Sequence, residues 1–528
     1  MDDGGHAMNG KYILVNDVGT TGTRAVLFDG ETNVVSESYT EIPQIFPEPG
    51  WTEQDPATIF ESCVDVTGKA LREAGVKPEQ IAAMGIATQR ATSMIWDAET
   101  GEPVYNAITW QDTRMSDECE RINHSSLFKM LHLAGRAYQG ITPLSAGLRR
   151  NLVGKMLITA AHFTVTPAQS SAHARWVLDN VPGAGERAKS GRLLMGTVDS
   201  WLVWKYTNGA VHATDYSNVS ATGMYDPFGM QWSSLLLKPF KLPGDLVFPE
   251  IRETSGDFGV TEVFGGAIPI RCVVADQQAA LFGEACFEQG SVKCTNGTGS
   301  FIDMNTGEAP MASIHKMTPM IAWSMQGKTT YLMEGIISSA GSSIQWLRDN
   351  LQIIKEASES EELARACQDC GGVYVVPAFS GLTAPYWDPY ARGTVVGLTR
   401  ATTKEQVVRA TLESIAYQCK DIIEAMQKDT GIEVKSIKAD GGASANSFLL
   451  QFLADILDAE VERPERLEAT ALGAAFFAGI AAGLWKYPDD IERIRRVDRV
   501  FASTMDTGTR DTLYAGWKKA VERASRWA

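Results

Sequence analysis

Short apolar runs alternate with glycine-rich polar turns along this chain. Tyr12–Val15 (YILV) and Ala25–Phe28 (AVLF) are apolar and rich in strand-forming residues, and the stretch between them carries Asp17, two glycines and three threonines. That pattern predicts strand, turn and strand over residues 11–29. Asp55–Gly75 (DPATIFESCVDVTGKALREAG) reads as an amphipathic helix, with Asp55 as cap, Pro56 in the first turn and Gly75 as the stop. Gln80–Gln89 (QIAAMGIATQ) predicts a short buried strand ending in polar residues. Ile268–Ala285 (IPIRCVVADQQAALFGEA) is a strand that breaks at Asp276 into a helix. Gly290–Gly307 (GSVKCTNGTGSFIDMNTG) repeats the strand, Gly/Thr turn and strand of the N-terminus, and Ser436–Leu457 gives a strand, Asp440-Gly441-Gly442 and a helix. Such alternation predicts an α/β protein. The repeated hairpin predicts two halves of related architecture, dividing near residues 284–289, with a ligand cleft between them as the expected consequence.

Length, charge and cysteines narrow the class. At 528 residues the chain exceeds a single hydrophobic core. A net charge of −16 disfavours nucleic acid as a partner, though not a nucleotide held by backbone amides. Eight scattered cysteines make no disulfide framework, and Cys367 and Cys370 form one CxxC without the further ligands a zinc site needs. The polar N-terminus is no signal peptide, and Ala469–Trp485 (ATALGAAFFAGIAAGLW) is too short to span a bilayer. That run predicts a tightly packed core helix, and a cytoplasmic setting is expected. One region reverses the overall sign: residues 121–176 contain no Asp or Glu but carry Arg121, Lys129, Arg136, Arg149, Arg150, Lys155, Arg175 and four of the seven histidines. It reads either as a surface helical excursion balancing neighbouring acids or as a docking face for an anionic substrate, lipid surface or partner.

The two Gly/Thr turns are the first candidates for chemistry. Glycines bring backbone N–H groups close to a ligand and threonines add hydroxyls, so Asp17–Thr23 and Thr295–Gly299 each suit phosphate oxygens. Asp17 would repel phosphate unless a cation such as Mg²⁺ intervened. A plain hairpin explains either turn alone; the pair in matched strand contexts favours a polyphosphate. Gly441 and Gly442 leave room for a flat group such as adenine. Asn446, placed about one turn into the following helix, offers a hydrogen bond, with a simple strand-to-helix turn as the alternative. Asp276 reads either as a helix cap or as a general base for a hydroxyl, with Gln277 beside it to orient that hydroxyl.

These residues carry a resemblance. NAITWQDTR, ADQQAALFGE, SSIQWLRDN, VYVVPAFSGLTAPYWDPYARGTVVGLTR and DGGASANSFLLQFLADIL resemble the glycerol kinase family within the FGGY carbohydrate kinases, over residues 12–485. The resemblance implies two actin-like (ribonuclease H-like) ATPase domains flanking a deep cleft: an N-terminal domain over 11–284, a C-terminal domain over 288–485 and a helical extension over 486–528. It implies ATP and Mg²⁺ as cofactors and phosphorylation of a small polyol, glycerol first. By motif, Asp276 corresponds to the catalytic base; Arg90, Trp110, Gln277 and Phe301 to the polyol site; Thr20, Thr21, Arg24, Thr298, Gly341, Gln345, Gly442 and Asn446 to the nucleotide site; and Asp17 to the magnesium-associated acid. A homo-oligomer is compatible with the resemblance.

Two departures bear on the substrate. Ala91 follows Arg90 where the family typically has glutamate, and PAQSSAHARW replaces a PYFSATK-like run, so that Ala168 stands for a tyrosine and His173 for a lysine. Losing one buried hydrogen-bond partner costs about 1–3 kcal/mol, enough to shift substrate preference tenfold or more. The expectation is a wider site or a different polyol, ketose or sugar acid. A non-catalytic ATP-binding partner protein is the remaining alternative. The family's sugar-bisphosphate regulatory loop has no match, so that regulation is not expected.

Overall fold

The computed structural model describes residues 11–141, 151–434 and 436–528. The chain divides into two compact units. The first comprises the described residues of Met1–Ala285 with Met320–Tyr331 and Thr470–Ile494; the second comprises Cys286–Pro319, Leu332–Ala469 and Arg495–Ala528.

The first unit is built on a six-stranded sheet. Its strands are β1 (Tyr12–Val18), β2 (Gly22–Phe28), β3 (Val34–Glu41), β4 (Ile81–Thr88), β5 (Val260–Thr261) and β6 (Ile268–Ala275), in the order β5-β6-β4-β1-β2-β3. β1 runs antiparallel to β2 and parallel to β4, which is parallel to β6. The central strands are buried almost throughout, which is why they read as apolar runs rather than as alternating ones. Helix α1 (Pro56–Ala74) starts at Asp55, whose side chain accepts from the Ala57 and Thr58 amides, and ends at Gly75 in the left-handed conformation. Further along lie α2 (Ser126–Ile141), α3 (Leu152–Ala160) and α4 (Asp276–Gly283).

The second unit repeats this plan. β7 (Val292–Asn296), β8 (Ser300–Gly307), β9 (Thr318–Met325), β10 (Lys328–Ile337), β11 (Ser436–Asp440), β12 (Glu460–Pro464) and β13 (Val497–Phe501) form a sheet in the order β9-β10-β8-β7-β11-β12-β13, of which residues 320–331 in β9 and β10 are counted with the first unit. β7 pairs antiparallel with β8 and parallel with β11; β11 and β12 are parallel, and β13 closes the edge antiparallel. Apart from the extra β9, this is the strand order of the first unit, and β13, β12, β11, β7 and β8 keep the directions of β5, β6, β4, β1 and β2, so the duplicated hairpin marks a duplicated topology. Helices α5 (Gly341–Gln345), α6 (Lys404–Thr430) and α7 (Ser447–Leu457) follow the same alternation.

Helix α8 (Ala469–Ala481) is the core helix expected from its Ala/Gly-rich sequence, and from Thr470 onward it belongs to the first unit. It crosses α4 so closely that a Cβ on Gly473 would overlap the Ala279 carbonyl. Phe477 stacks on Phe282 with ring centroids 3.8 Å apart, a contact worth about 0.5–1.5 kcal/mol beyond its buried area. The C-terminal stretch differs from a purely helical extension: it supplies β13 as well as α9 (Thr507–Ala524). Helix α9 is anchored to α6 through Asp421, whose carboxylate accepts from the Tyr514 hydroxyl, the Trp517 indole N–H and the Lys518 ammonium.

Candidate active site

In the first unit, three neighbouring parallel strands, β1, β4 and β6, deliver their carboxyl ends side by side, with Val18 and Ala275 both in register with Thr88. Asp17 lies near the end of β1, Arg90 follows β4, and Asp276 opens the helix that follows β6. Open α/β sheets bind ligands at such carboxyl ends. Asp276 is the first residue of α4; the N-cap position belongs to Ala275, so the alternative of a capping aspartate does not hold. Its Oδ1 accepts from the Gln277 amide at 2.7 Å and lies 3.6 Å from Arg90 Nε.

The β1–β2 turn is held from behind. The Val18 carbonyl accepts from the Gln89 amide at 2.8 Å, the Gly19 carbonyl from Gln89 Nε2 at 3.4 Å, the Thr20 carbonyl from Gln54 Nε2 at 2.7 Å and the Thr21 carbonyl from the Ile42 amide at 3.0 Å. Gln89 also donates to Gln54 at 2.8 Å, which joins the two clamps. The N–H groups of Thr20 and Thr21, by contrast, have no hydrogen-bond partner among the described residues. A turn whose carbonyls are engaged and whose amides are open is an anion nest. Trp110 is 40 % exposed and so is not a core side chain; its Nε1 donates to the Thr20 hydroxyl at 2.9 Å. Arg24 pairs with Glu37 on β3 at 3.1 Å.

Asp17 sits deep among protein atoms yet keeps a partly accessible face. Burial, opposed by Arg24 and reinforced by the charges of Asp276 and Glu37, pushes its carboxyl up to about 7. Two carboxylates that repel each other beside an anion nest fit a hard divalent cation. Among the described residues no three His, Cys, Asp or Glu side chains gather as a metal cage. A Mg²⁺ ion here would be held by Asp17, directly or through water, with phosphate oxygens and water filling the remaining positions.

The second unit carries the other turn, Gly297–Gly299. The Gly297 carbonyl accepts from the Gly341 amide, and the Thr298 carbonyl from the Ala340 and Ser342 amides, each at 3.0 Å. The amides of Gly297, Thr298 and Gly299 have no partner among the described residues. Thus Thr298 and Gly341 form one backbone unit. The Asp440-Gly441-Gly442 turn is locked to it too. Gly441 has φ +83°, and a Cβ there would lie 2.7 Å from the Asn296 carbonyl oxygen, while Asn296 Nδ2 donates to the Ser444 hydroxyl at 3.1 Å. Gly442 is exposed and borders open space, and Gln345 at the end of α5 is exposed. Phe301, half-buried on β8, belongs to this unit and not to that of Trp110.

Several expectations need correction. Asn446 is not one turn into α7: residues 442–445 form a separate 3₁₀ turn and Asn446 is the N-cap. Its Oδ1 accepts from the Leu449 amide at 3.0 Å and its Nδ2 donates to Ser360 at 3.2 Å, so its first role is to start the helix. Ala91 is buried with φ +62°, and its carbonyl accepts from the Ser170 hydroxyl at 3.1 Å. The bend after Arg90 is therefore a fixed, left-handed backbone position and not merely a lost side chain. Ala168 is half-buried. His173 is buried against the Ser93 hydroxyl at 2.9 Å, and burial pushes its imidazole down to about 4, so it brings no cation to the position where the family has lysine. Arg149 and Arg150 lie outside the described residues.

Sequence reasoning missed two supports. Gln54 and Gln89 hold the first turn, and nothing local in the sequence marks either one. Beneath the second turn, Lys293 is fully buried and paired with Asp303 at 2.8 Å. Burial raises the carboxyl of the neighbouring Asp440, a shift that Lys293 opposes. A lone lysine and a lone aspartate inside the apolar strands VKC and FIDM were the available signal.

Comparison with known proteins places this geometry among relatives. The N-terminal domain of the FGGY family of carbohydrate kinases matches residues 12–146 and 135–283, and its C-terminal domain matches residues 292–482. The chain is 47 % identical over 520 residues to a glycerol kinase of Petrotoga mobilis, covering 98 % of this chain and 99 % of that one. It is 46 % identical over 519 residues to glycerol kinase 2 of Thermotoga maritima, with the same coverage. Among solved structures it is similar to Plasmodium falciparum glycerol kinase with ADP, at TM-score 0.85 and 32 % identity over 97 % of this chain and 98 % of that one. A gluconate kinase of Lactobacillus acidophilus shares the fold, at TM-score 0.81 and 21 % identity over 97 % of both chains.

Proposed function

Because the chain belongs to the FGGY family of carbohydrate kinases, we propose that it transfers the terminal phosphoryl group of ATP to a primary hydroxyl of glycerol. The observation that carries this reading is the pair of Gly/Thr turns. Each unit offers one turn with engaged carbonyls and open amides, the first beside Asp17 and Asp276, the second fused to the Gly341 and Gly442 backbones. Relatives that bear the name glycerol kinase, one of them solved with ADP, support both substrates.

In this mechanism the first unit binds the polyol and the second the nucleoside. Arg90 and Gln277 hold hydroxyls, while Trp110 contacts the carbon chain. Asp276 accepts the proton of the attacking hydroxyl as that oxygen bonds to the terminal phosphorus and the bridging oxygen leaves with ADP. Arg90 Nε lies 3.6 Å from its carboxylate. The amides of Thr20, Thr21 and Thr298 receive phosphate oxygens, and Gly442 leaves the space for adenine. Asp17 would hold a Mg²⁺ ion, which when bound would neutralise phosphate charge.

A larger polyol, a ketose or a sugar acid is the second reading. Ala91 and Ala168 favour it, since neither side chain offers a hydrogen bond to a terminal hydroxyl. ADP release measured with a panel of polyols and sugars at low concentration tests both. Glycerol is expected to give the highest kcat/KM; a sugar that exceeds it replaces glycerol as the substrate, and ADP release unchanged by every alcohol contradicts the kinase reading itself.

A further inference from the structure

The acid-free segment 121–176 is the largest feature that the phosphoryl-transfer chemistry leaves unused. Its described cations fall into two groups. Arg121 and Arg175 pair with Glu118 and Asp179, acids just outside or beyond the segment. Lys129, Arg136 and Lys155 have no acidic partner among the described residues, and burial lowers Lys155 with no compensating charge.

The same helices are apolar on their outer side. In α2, Phe128 and Gly135 are buried and mark the inner side, Gly135 lying against the Leu157 carbonyl near the end of α3. With about 3.6 residues per turn, Leu133, Ala137, Met130 and Ile141 fall on the opposite side. That side carries no charged residue, and Met130 and Leu133 are 62 % and 70 % exposed. In α3, Gly154 and Ile158 face inward while Leu152, Val153 and Met156 are exposed. Lys129 and Arg136 flank the apolar strip of α2. Beside them a cavity of about 830 Å³ opens between α2 and residues 164–167, with Lys129, His132 and Arg136 on its wall and Glu120 as its one acid.

We propose that the outer face of α2 and α3 is a docking surface for an anionic lipid bilayer. Exposed apolar side chains bordered by unpaired cations are the composition of a helix that lies in a membrane interface. Charge selects this occupant. A chain of net charge −16 is repelled as a whole by an anionic bilayer, and the sign reverses over this segment. A symmetric contact with a second copy would bring two like-charged patches, each carrying Lys129 and Arg136, together. No helix among the described residues is long and apolar enough to cross a membrane, so the contact is interfacial.

Flotation of the full chain with phosphatidylcholine vesicles, plain or containing roughly a third phosphatidylglycerol, tests this. The wild type is expected to float with the anionic vesicles only and to be released as salt rises from about 0.1 to about 0.5 M. The triple substitution Lys129→Gln, Arg136→Gln, Lys155→Gln and the separate substitution Leu133→Gln are each expected to weaken binding roughly tenfold or more, with kinase turnover and Tm unchanged. Leu133→Gln alters one highly exposed side chain and keeps the test open if the triple variant folds poorly. Wild-type protein that floats with neither vesicle overturns the proposal. So does undiminished flotation of the triple variant, or a self-associated wild type that ignores vesicles and that Leu133→Gln makes monomeric.

Discussion

At the scale of single residues, the charge balance around Asp17 sets the most specific expectations. Its carboxyl, pushed up to about 7 chiefly by burial and by Asp276, shares a proton at neutral pH in the free protein. Binding of a divalent cation must displace that proton, so the Mg²⁺ concentration for half-maximal turnover should fall as pH rises from about 6 to about 8. In Asp17→Asn that slope should flatten and the requirement rise. Stability follows the same titration with its own sign. A carboxyl raised in the folded state contributes stability below its unfolded pKa, and this contribution is lost as pH climbs through about 7. Asp17→Asn should therefore gain in Tm relative to wild type near pH 8, and the gain should vanish near pH 4 in thermal melts. Gln54 makes a different prediction. Its amide fixes the Thr20 carbonyl, and Gln54→Ala should raise the KM for ATP about tenfold, the effect of losing about 1.4 kcal/mol, while Tm stays nearly constant.

At the scale of elements, two backbone contacts carry the site. Gly441 combines φ +83° with a 2.7 Å approach to the Asn296 carbonyl for any added Cβ. Gly441→Ala should cost roughly 2–4 kcal/mol in chemical denaturation and weaken ATP binding more than polyol binding. Gly473→Ala should press α8 away from α4 and the helix start at Asp276, so turnover should fall before nucleotide affinity does. How legible these elements were depended on burial. β1, β2, β4, β6 and β7 are buried strands and were readable as apolar runs, and α1 announced itself through Asp55 and Gly75. β13 is an exposed edge strand in which only Phe501 is buried, so its sequence, VDRVF, gave no alternation to read. Asn446 was misplaced because GGAS folds into a 3₁₀ turn before the helix; the glycines ended the strand but said nothing about where the next helix would begin. The Asp276, Thr20 and Thr298 positions stood out because small and acidic residues interrupt apolar strands there. Gln54 and Gln89 reach the turn only through the tertiary fold, which no local pattern encodes.

For the whole molecule, the duplicated sheet order means that one structural device, an open-amide turn at the carboxyl end of a parallel strand, occurs twice. On the proposed reading both copies receive phosphate oxygens, while the first unit adds Asp276 and the polyol residues and the second adds the nucleoside residues. The division of labour is separable by mutation: a change at the base should abolish transfer and leave nucleotide affinity intact. The decisive measurement is glycerol-dependent ADP release by Asp276→Asn, read beside ATP affinity from calorimetry on the same preparation. Turnover is expected to drop by about 10²–10⁴-fold with ATP affinity within about twofold of wild type. Full turnover in Asp276→Asn would contradict the account at its centre.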